Sequence, residues 1–227
     1  HWTDVLITIN REDYALAKKH MAAGHVEYVP GVGIDMRKFA PELSAAVDRR
    51  SLLDSLGADD NNIILLSVGE LNKNKNHEVV IKALAKLKNP NIHYVIAGTG
   101  VLKNHLVKVA GDLRVDNQVH FLGHRNDVAQ LLQITDLYVH PSFREGLPVA
   151  LMEAIASKVP VICSNIRGNN DLINEKALFD PSSVDDVAHK IGEYLTIDKS
   201  EEVEENYRNL RKYDLSNIIS TMELVYG

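Results

Sequence analysis

Residues 137–153 read LYVHPSFREGLPVALME and pass from one apolar run through a polar loop into a second apolar run. The first run, residues 137–140, is short and predicts a strand. The second run predicts a helix over residues 148–157, with Pro148 at its first position because proline has no N–H to leave unsatisfied there. A strand that leads directly into a helix is typical of α/β proteins.

The same alternation of apolar strand and single helix continues along most of the chain. Strands that are apolar on both faces and separated by single helices predict a Rossmann-like, doubly wound parallel sheet flanked by helices. The predicted strands are 5–9, 25–29, 63–68, 92–97, 119–122, 137–140 and 159–163, and the predicted helices are 11–23, 44–56, 78–87, 102–113, 127–134, 148–157, 185–195, 202–210 and 215–225.

Glycine or charged residues follow several of these strands. Doubly wound sheets bind their ligands at the carboxyl ends of the strands, near the point where the strand order reverses. Four such strand ends carry suitable residues, and we expect the binding site there: 69–75, 98–100, 123–125 and 142–153.

Two carboxylates flank the start of the helix that follows Pro148. Glu145 lies in the loop before the helix and Glu153 lies one to two turns inside it. Free amides at a helix N-terminus bind anions. An anion site between two carboxylates suits a nucleotide diphosphate sugar, which has hydroxyl groups at both ends and phosphate in the middle. The alternative is an amphipathic helix with two solvated carboxylates.

The pattern Glu-x7-Glu, with Gly-Leu-Pro after the first Glu, resembles the donor motif of retaining glycosyltransferases of the GT-B fold, glycosyltransferase family four, group 1 type. The resemblance implies that Glu145, as the catalytic residue, positions the hydroxyls of the donor sugar. It also implies that Glu153 binds the ribose. The amides around Gly146, Leu147 and Val149 would hold the distal phosphate.

The loop after residue 68 resembles the family's Gly-Arg-Leu-x3-Lys segment, in which Arg and Lys grip the diphosphate. Gly69 and Lys75 fit the pattern, whereas Glu70 stands where the family has Arg. A carboxylate repels phosphate at close range. We therefore expect Glu70 to turn away, or a second cation to come from Lys73, Arg125 or Arg144. The alternative is a solvated, lysine-bearing turn.

Two further loops complete the predicted donor site. Gly98 and Gly100 would lie near the phosphate or the sugar, and the alternative is a glycine turn without a ligand. The loop of Gly123, His124 and Arg125 would lie against the nucleobase, unless Arg125 pairs with its neighbour at position 127.

The remaining candidates for chemistry have simpler interpretations. The sequence has no convincing metal-ligand spacing, so we interpret His93, His120 and His140 as packed or edge histidines and expect no metal. We expect no cofactor, only a UDP- or GDP-linked sugar as donor substrate. Cys163 lies in an apolar run and is expected to be a buried thiol. A chain with one cysteine has no internal disulfide, which fits a reducing cytoplasm.

Composition narrows the class of protein. The chain has 227 residues, 45% apolar and 25% charged, which is typical of a globular protein. The net charge of −6 argues against nucleic acid as a partner. No run approaches the ~20 apolar residues of a membrane span. We expect a cytoplasmic protein.

The segment 30–35, PGVGID, with Phe39 and Pro41, resembles the family's interdomain linker. We expect residues 1–35 to be the tail of an acceptor-binding domain plus this linker, and residues 36–227 to be the donor-binding domain. The parent enzyme would transfer a hexosyl unit in bacterial surface polysaccharide synthesis, peripherally at the inner membrane. Without its acceptor-binding domain this fragment would be weakly active or inactive.

Three other functions are compatible with an α/β sheet. One is a sugar-nucleotide epimerase and another is a non-catalytic nucleotide-sugar-binding module. The third, an NAD-dependent oxidoreductase, is disfavoured because the third glycine of a dinucleotide fingerprint would fall at Lys103.

Overall fold

The computed structural model describes residues 4–31, 33–40 and 49–226, except for the side chain of Tyr226. In chain order the strands are β1 (Val5–Thr8), β2 (His25–Tyr28), β3 (Ile63–Val68), β4 (Ile92–Ala97), β5 (Val119–Gly123), β6 (Leu137–His140), β7 (Val161–Ser164) and β8 (Leu178–Phe179). The α-helices are α1 (Arg11–His20), α2 (Arg49–Ser55), α3 (His77–Leu87), α4 (Lys103–Asp112), α5 (Val128–Gln133), α6 (Val149–Ala156), α7 (Val184–Tyr194), α8 (Ser200–Leu210) and α9 (Leu215–Tyr226). Four short 3-10 turns lie at Met36–Phe39, Asp116–Gln118, Glu175–Ala177 and Arg211–Tyr213.

Within the described residues, the main sheet has six strands in the order β5-β4-β3-β6-β7-β8, and every neighbouring pair is parallel. The chain enters at β3, moves outward to β5, and returns to place β6 against the free side of β3. The strand order reverses at that point, so the carboxyl ends of β3 and β6 flank the crevice where such sheets bind ligands. The predicted Rossmann-like, doubly wound sheet is confirmed.

The core lies on both faces of this sheet. Every residue of β4, β6 and β7 is buried, which is what helices packed on both faces require. A chain of hydrogen bonds crosses the core. The Tyr94 hydroxyl donates to Ser67 Oγ at 2.9 Å, and Ser67 donates to the carbonyl of Val139 at 2.5 Å. These bonds tie β4, β3 and β6 together beneath the switch point.

The amino-terminal segment forms its own small sheet. Strands β1 and β2 pair in parallel and are joined through α1. Backbone hydrogen bonds then attach the following segment to the start of α9, from Ile34 N–H to the Tyr213 carbonyl and from Leu215 N–H to the Ile34 carbonyl, both 2.9 Å. The guanidinium of Arg167 also lies 2.5 Å from the Asp13 carboxylate. The small sheet is therefore held against the carboxyl-terminal side of the main domain.

Several predicted boundaries differ from the structure. Pro148 is not the first helical residue, because its ψ of 95° is extended and the helix begins at Val149. Helix α1 ends at His20 instead of residue 23, since Met21 is already extended. Strand β7 begins at Val161, two residues later than predicted.

Two further differences concern strand β8 and the predicted helix 44–56. Strand β8 was not predicted, because two residues are too short to show a period. Predicted helix 44–56 ends at Ser55 in the structure. Its first part, residues 44–48, lies outside the described residues, as do Val32 and Pro41 of the predicted linker.

Candidate functional site

Two loops meet at the switch point. We call residues 69–76 the β3 loop and residues 141–148 the β6 loop. The Phe143 N–H donates to the Asn74 carbonyl at 2.8 Å, and the Asn74 side-chain amide donates to the Arg144 carbonyl at 2.9 Å. The Asn76 amide donates to the Pro141 carbonyl at 3.2 Å. These bonds fasten the two loops to each other, so side chains from distant parts of the sequence occupy one site.

The centre of this site is an ion pair between the loops. Lys75 Nζ lies 2.6 Å from Glu145 Oε1, and their side chains are 23% and 13% exposed. His140 Nε2 lies 3.1 Å from the same oxygen. Burial alone would raise the pKa of Glu145, but the contact with His140 and the Lys75 ammonium lower it to about 2. Glu145 is therefore ionised at any physiological pH.

This pair changes the predicted arrangement of charges. The resemblance implies that the Lys75 ammonium binds the diphosphate and that the Glu145 carboxylate positions the sugar hydroxyls. In the structure each is bound to the other. Glu145 is four residues before the start of α6, so the pair involves the loop that leads into this helix.

Helix α6 contributes unbonded amides to this edge of the sheet. Its first intrahelical bonds run from Leu151 and Met152 to the Pro148 carbonyl. The amides of Val149 and Ala150 precede those donors and belong to the first turn, which lacks intrahelical acceptors. They form the positive end of the helix dipole.

The loop before α6 is held by contact with the amino-terminal segment. A Cβ placed on Gly31 would lie 1.8 Å from Leu147 Cδ2. The Leu147 side chain therefore packs on Gly31, and only its backbone is available for the predicted contact with phosphate. Gly146 lies beside Ile9, whose Cδ1 would be 3.7 Å from an added Cβ.

Glu153 lies one turn farther along α6 and is partly buried. Burial raises the pKa of this carboxyl to about 7. The two predicted carboxylates therefore differ: Glu145 is charged and paired, whereas Glu153 is partly protonated at neutral pH. Such a separation of pKa values is common at functional sites.

A cavity of about 300 Å³ lies at the ends of β3, β4 and β5 and is lined in part by the β3 loop. Its lining includes four predicted donor-site residues, Gly69, Gly98, His124 and Arg125, and also Glu70. A Cβ on Gly98 would lie 1.8 Å from the Gly69 carbonyl oxygen, and one on Gly100 would lie 2.5 Å from that of Leu71. Both glycines are therefore required for the packing of one loop on another. Gly123 has a φ of +70° and open space around it.

The predicted sources of a second cation differ in availability. Arg125 forms a two-point contact with Asp127, at 2.8 Å and 2.5 Å, and this contact raises the pKa of Arg125. This contact agrees with the alternative interpretation, in which Arg125 pairs with its neighbour at position 127. Lys73 and Arg144 are exposed at the edge of the site. Glu70 accepts a hydrogen bond from the Asn72 side chain at 2.9 Å.

Two contributions were missed by the sequence prediction, and a third concerns Gly168, in the loop 164–171 whose amide and glycine residues were expected to edge the sugar pocket or to cap the next helix. His140 was interpreted as a packed histidine, yet it contacts Glu145 directly. Asn74 and Asn76 were not singled out, although they join the loops. Gly168 has a φ of +87°, and an added Cβ would lie 2.6 Å from the Gly146 carbonyl oxygen. The signal available for His140 was its place on the strand that ends at the site.

Further findings concern the cysteine, metal ligands and membrane spans. Cys163 is fully buried, as predicted. Among the described residues, no group of three or more His, Cys, Asp or Glu side chains is placed to hold a metal ion. In the same part of the chain, no helix has the length and apolar character needed to cross a membrane.

Most of the chain is similar in sequence to known glycosyltransferases. The family model described as "Glycosyl transferases group 1" matches residues 48–213. The chain is 33% identical over 177 residues to "Putative glycosyltransferase EpsD" of Bacillus subtilis (strain 168), which covers 77% of this chain and 46% of that protein. It is 32% identical over 182 residues to the Escherichia coli "UDP-Gal:alpha-D-GlcNAc-diphosphoundecaprenol alpha-1,3-galactosyltransferase", with the same two coverages.

Solved structures share the fold. The Anabaena Alr3699/HepE structure in complex with UDP and glucose has a TM-score of 0.85 at 20% identity, covering 98% of this chain and 62% of that one. WaaG, a glycosyltransferase involved in lipopolysaccharide biosynthesis, has a TM-score of 0.81 at 22% identity, covering 98% and 62%.

The chain belongs to the group 1 family of glycosyltransferases. Its relatives include glycosyltransferases of bacterial polysaccharide synthesis. The chain spans about half the length of the curated relatives that it matches.

Proposed function

We propose that this chain is the donor-binding half of a retaining glycosyltransferase and binds a nucleotide diphosphate sugar. Residues 36–227 would form the donor-binding domain, and residues 1–35 would be the end of the acceptor-binding domain with its linker. One observation carries the proposal: Lys75, Glu145 and the first turn of α6 converge at the switch point of the sheet.

The charges of the site match the parts of such a ligand. The amides of Val149 and Ala150 and the Lys75 ammonium would bind the diphosphate. Glu145, ionised and acceptor-only, would accept hydrogen bonds from the hydroxyls of the sugar. Glu153 would accept from the ribose hydroxyls. The cavity beside Arg125 would hold the nucleobase.

In this mechanism the protein acts mainly by electrostatics and positioning. As the bond between the sugar and the diphosphate breaks, negative charge accumulates on the leaving phosphate. The helix amides would already face that charge, and Lys75 would turn to it from Glu145; donors and cations held near developing charge stabilise a transition state. Glu145 would fix the sugar relative to the acceptor, which the other half of the parent enzyme would bring. We also propose that the transferred sugar retains its configuration at the anomeric carbon.

The biological setting is proposed from the relatives. We infer a cytoplasmic parent enzyme, peripheral at the inner membrane, that transfers a hexosyl unit during bacterial surface polysaccharide synthesis. The net charge of −6 disfavours nucleic acid as a further partner. The isolated chain would bind its donor and turn over slowly or not at all.

Isothermal titration with a panel of UDP- and GDP-linked sugars tests the proposal. We expect saturable binding of at least one nucleotide sugar, and loss of it in Glu145→Ala and Glu153→Ala. A folded sample that binds none of them at millimolar concentration would refute the proposal. Product analysis with donor and no acceptor separates a transferase from an epimerase, since an epimerase would convert the donor sugar.

A further inference from the structure

His140 is held rigidly beneath Glu145. Its side chain is 3% exposed, and its Nε2 lies 3.1 Å from Glu145 Oε1. The imidazole ring stacks on the ring of Tyr138, two residues earlier on β6, at a centroid distance of 6.1 Å and an interplanar angle of 17°. The hydroxyl of Ser142 lies 3.4 Å from the same Nε2. The position of the ring is therefore set by β6 and by packing, independently of any ligand.

The chemistry of the contact assigns the imidazole proton. Ionised Glu145 can only accept hydrogen bonds, so the nitrogen that faces it must donate. Burial lowers the pKa of His140, although the Glu145 carboxylate opposes this shift. A neutral ring carries one N–H, and here that proton is on Nε2. His140 is thus a neutral donor that adds no positive charge to the site.

Lys75 and His140 differ in what they would do when a ligand arrives. Lys75 has a flexible side chain and a full positive charge, so a diphosphate competes with Glu145 for it. His140 is buried, rigid and uncharged, and a phosphate does not attract it. Both donors act on Oε1, which leaves acceptor capacity on Oε2 for a sugar hydroxyl.

We infer that His140 is a positioning residue that holds the Glu145 carboxylate in place for the donor sugar after Lys75 has turned toward the diphosphate. This inference rests on the proposed function, because it assigns the donor sugar to Glu145. It goes beyond that function in predicting that a buried histidine without ligand contact determines how well the sugar portion is recognised.

The test compares His140→Leu, which removes the donor, with His140→Gln, whose amide places an N–H near the position of Nε2. Affinities for the nucleotide sugar bound by the wild type and for the matching free nucleoside diphosphate are measured by isothermal titration. We expect His140→Leu to lose about tenfold in affinity for the nucleotide sugar and less than about twofold for the free nucleotide. His140→Gln should recover most of the loss.

If His140 has only a structural role, its replacement would weaken the binding of both ligands equally and would lower the melting temperature in proportion. Equal losses for the two ligands, or no loss for the nucleotide sugar, would overturn the inference. If the folded wild type binds no nucleotide sugar, the proposed function itself fails.

A second measurement needs no variant that folds and no ligand. Nitrogen NMR of histidine-labelled wild-type protein reports the tautomer of each imidazole. We expect the His140 ring to be neutral with its proton on Nε2 near neutral pH. A proton on Nδ1 instead would show that His140 does not donate to Glu145, and the inference would fall.

Discussion

The Lys75 ammonium and the Glu145 carboxylate are bonded to each other at 2.6 Å across a separation of 70 positions in the sequence. Each group is proposed to bind a different part of the same ligand. In the free protein the pair neutralises itself, and this avoids leaving a partly buried charge without a partner. A diphosphate must therefore compete with Glu145 for Lys75, and this competition makes the affinity of the site sensitive to both residues.

Replacing Glu145 with Gln should separate the two ligands. The variant frees Lys75 and removes a negative charge beside the phosphate site, so free nucleoside diphosphate should bind about fivefold more tightly, or about 1 kcal/mol. The nucleotide sugar should not show this fivefold gain in affinity, because the amide is a weaker acceptor for sugar hydroxyls. Isothermal titration of both ligands gives the ratio. Glu204→Gln, which removes the same charge from the exposed pair with Lys158, is the matched control. Unchanged or weaker binding of free nucleotide to Glu145→Gln would contradict the competition.

The cations of the site should contribute unequally. Lys75→Met should weaken free nucleotide and nucleotide sugar alike by about tenfold or more, since it removes a charge from the proposed diphosphate site. Arg125→Met should change either affinity by less than about twofold, because Asp127 already binds the guanidinium at two points. Titrations at two salt concentrations check that the Lys75 effect is electrostatic. A larger loss in Arg125→Met than in Lys75→Met would reverse the proposed roles.

Nucleotide affinity should depend on pH through Glu153. Burial raises the pKa of its carboxyl to about 7, so the group is mostly protonated at pH 6 and mostly ionised at pH 8. The ionised form accepts the ribose hydroxyls, and affinity should therefore increase from pH 6 to pH 8 and then level off. Titration of free nucleotide across this range measures the increase. Glu153→Gln should bind weakly and flatten the profile between these two values. A profile that is equally steep in the variant would assign the pH dependence to another group.

The same carboxyl should affect stability with a definite sign. Its pKa in the folded protein, about 7, is above its ordinary value of 4.5, so folding opposes its ionisation. The free-energy cost of ionising Glu153 in the folded protein begins as the pH rises above 4.5 and reaches its full value above pH 7. Glu153→Gln should therefore increase the free energy of unfolding by about 2 to 3 kcal/mol at pH 8 and by little at pH 4.5. Denaturant unfolding at both pH values is the measurement. An equal change in the free energy of unfolding at pH 4.5 and pH 8 would mean that the burial of Glu153 has no electrostatic cost.

Gly168 should be required for the position of the β6 loop. Alanine there would adopt a φ of +87° and place its Cβ 2.6 Å from the Gly146 carbonyl oxygen. We expect Gly168→Ala to destabilise the protein by about 2 kcal/mol and to weaken nucleotide-sugar binding through displacement of Glu145. Gly111→Ala is the control, since nothing lies within 4 Å of the added Cβ in helix α4. That control should stabilise by about 0.5 to 1 kcal/mol. Equal melting temperatures for wild type and Gly168→Ala would show that the loop can move without cost.

Local sequence was sufficient for most of the secondary structure and for one part of the site. The apolar runs at 63–68, 92–97 and 137–140 predict strands because burial on both faces leaves no polar alternation. Glu145 and Glu153 could be assigned to one region because a loop and a short helix connect them. Helix ends were less predictable: Met21 and Pro148 adopt extended backbone conformations that the residue types alone do not determine.

The sequence by itself determined that the chain alternates strands and helices, and that the loop before α6 carries an acidic residue, Glu145. The tertiary structure alone decided that β6 lies beside β3, and that placement brings Lys75 to Glu145 and sets His140 beneath the same carboxylate. The physical reason is the distance along the sequence over which each interaction acts. Strand and helix signals come from hydrophobic periodicity over a few residues, whereas a contact across 70 positions depends on strand order and on which partners a buried charge can find when the whole chain packs.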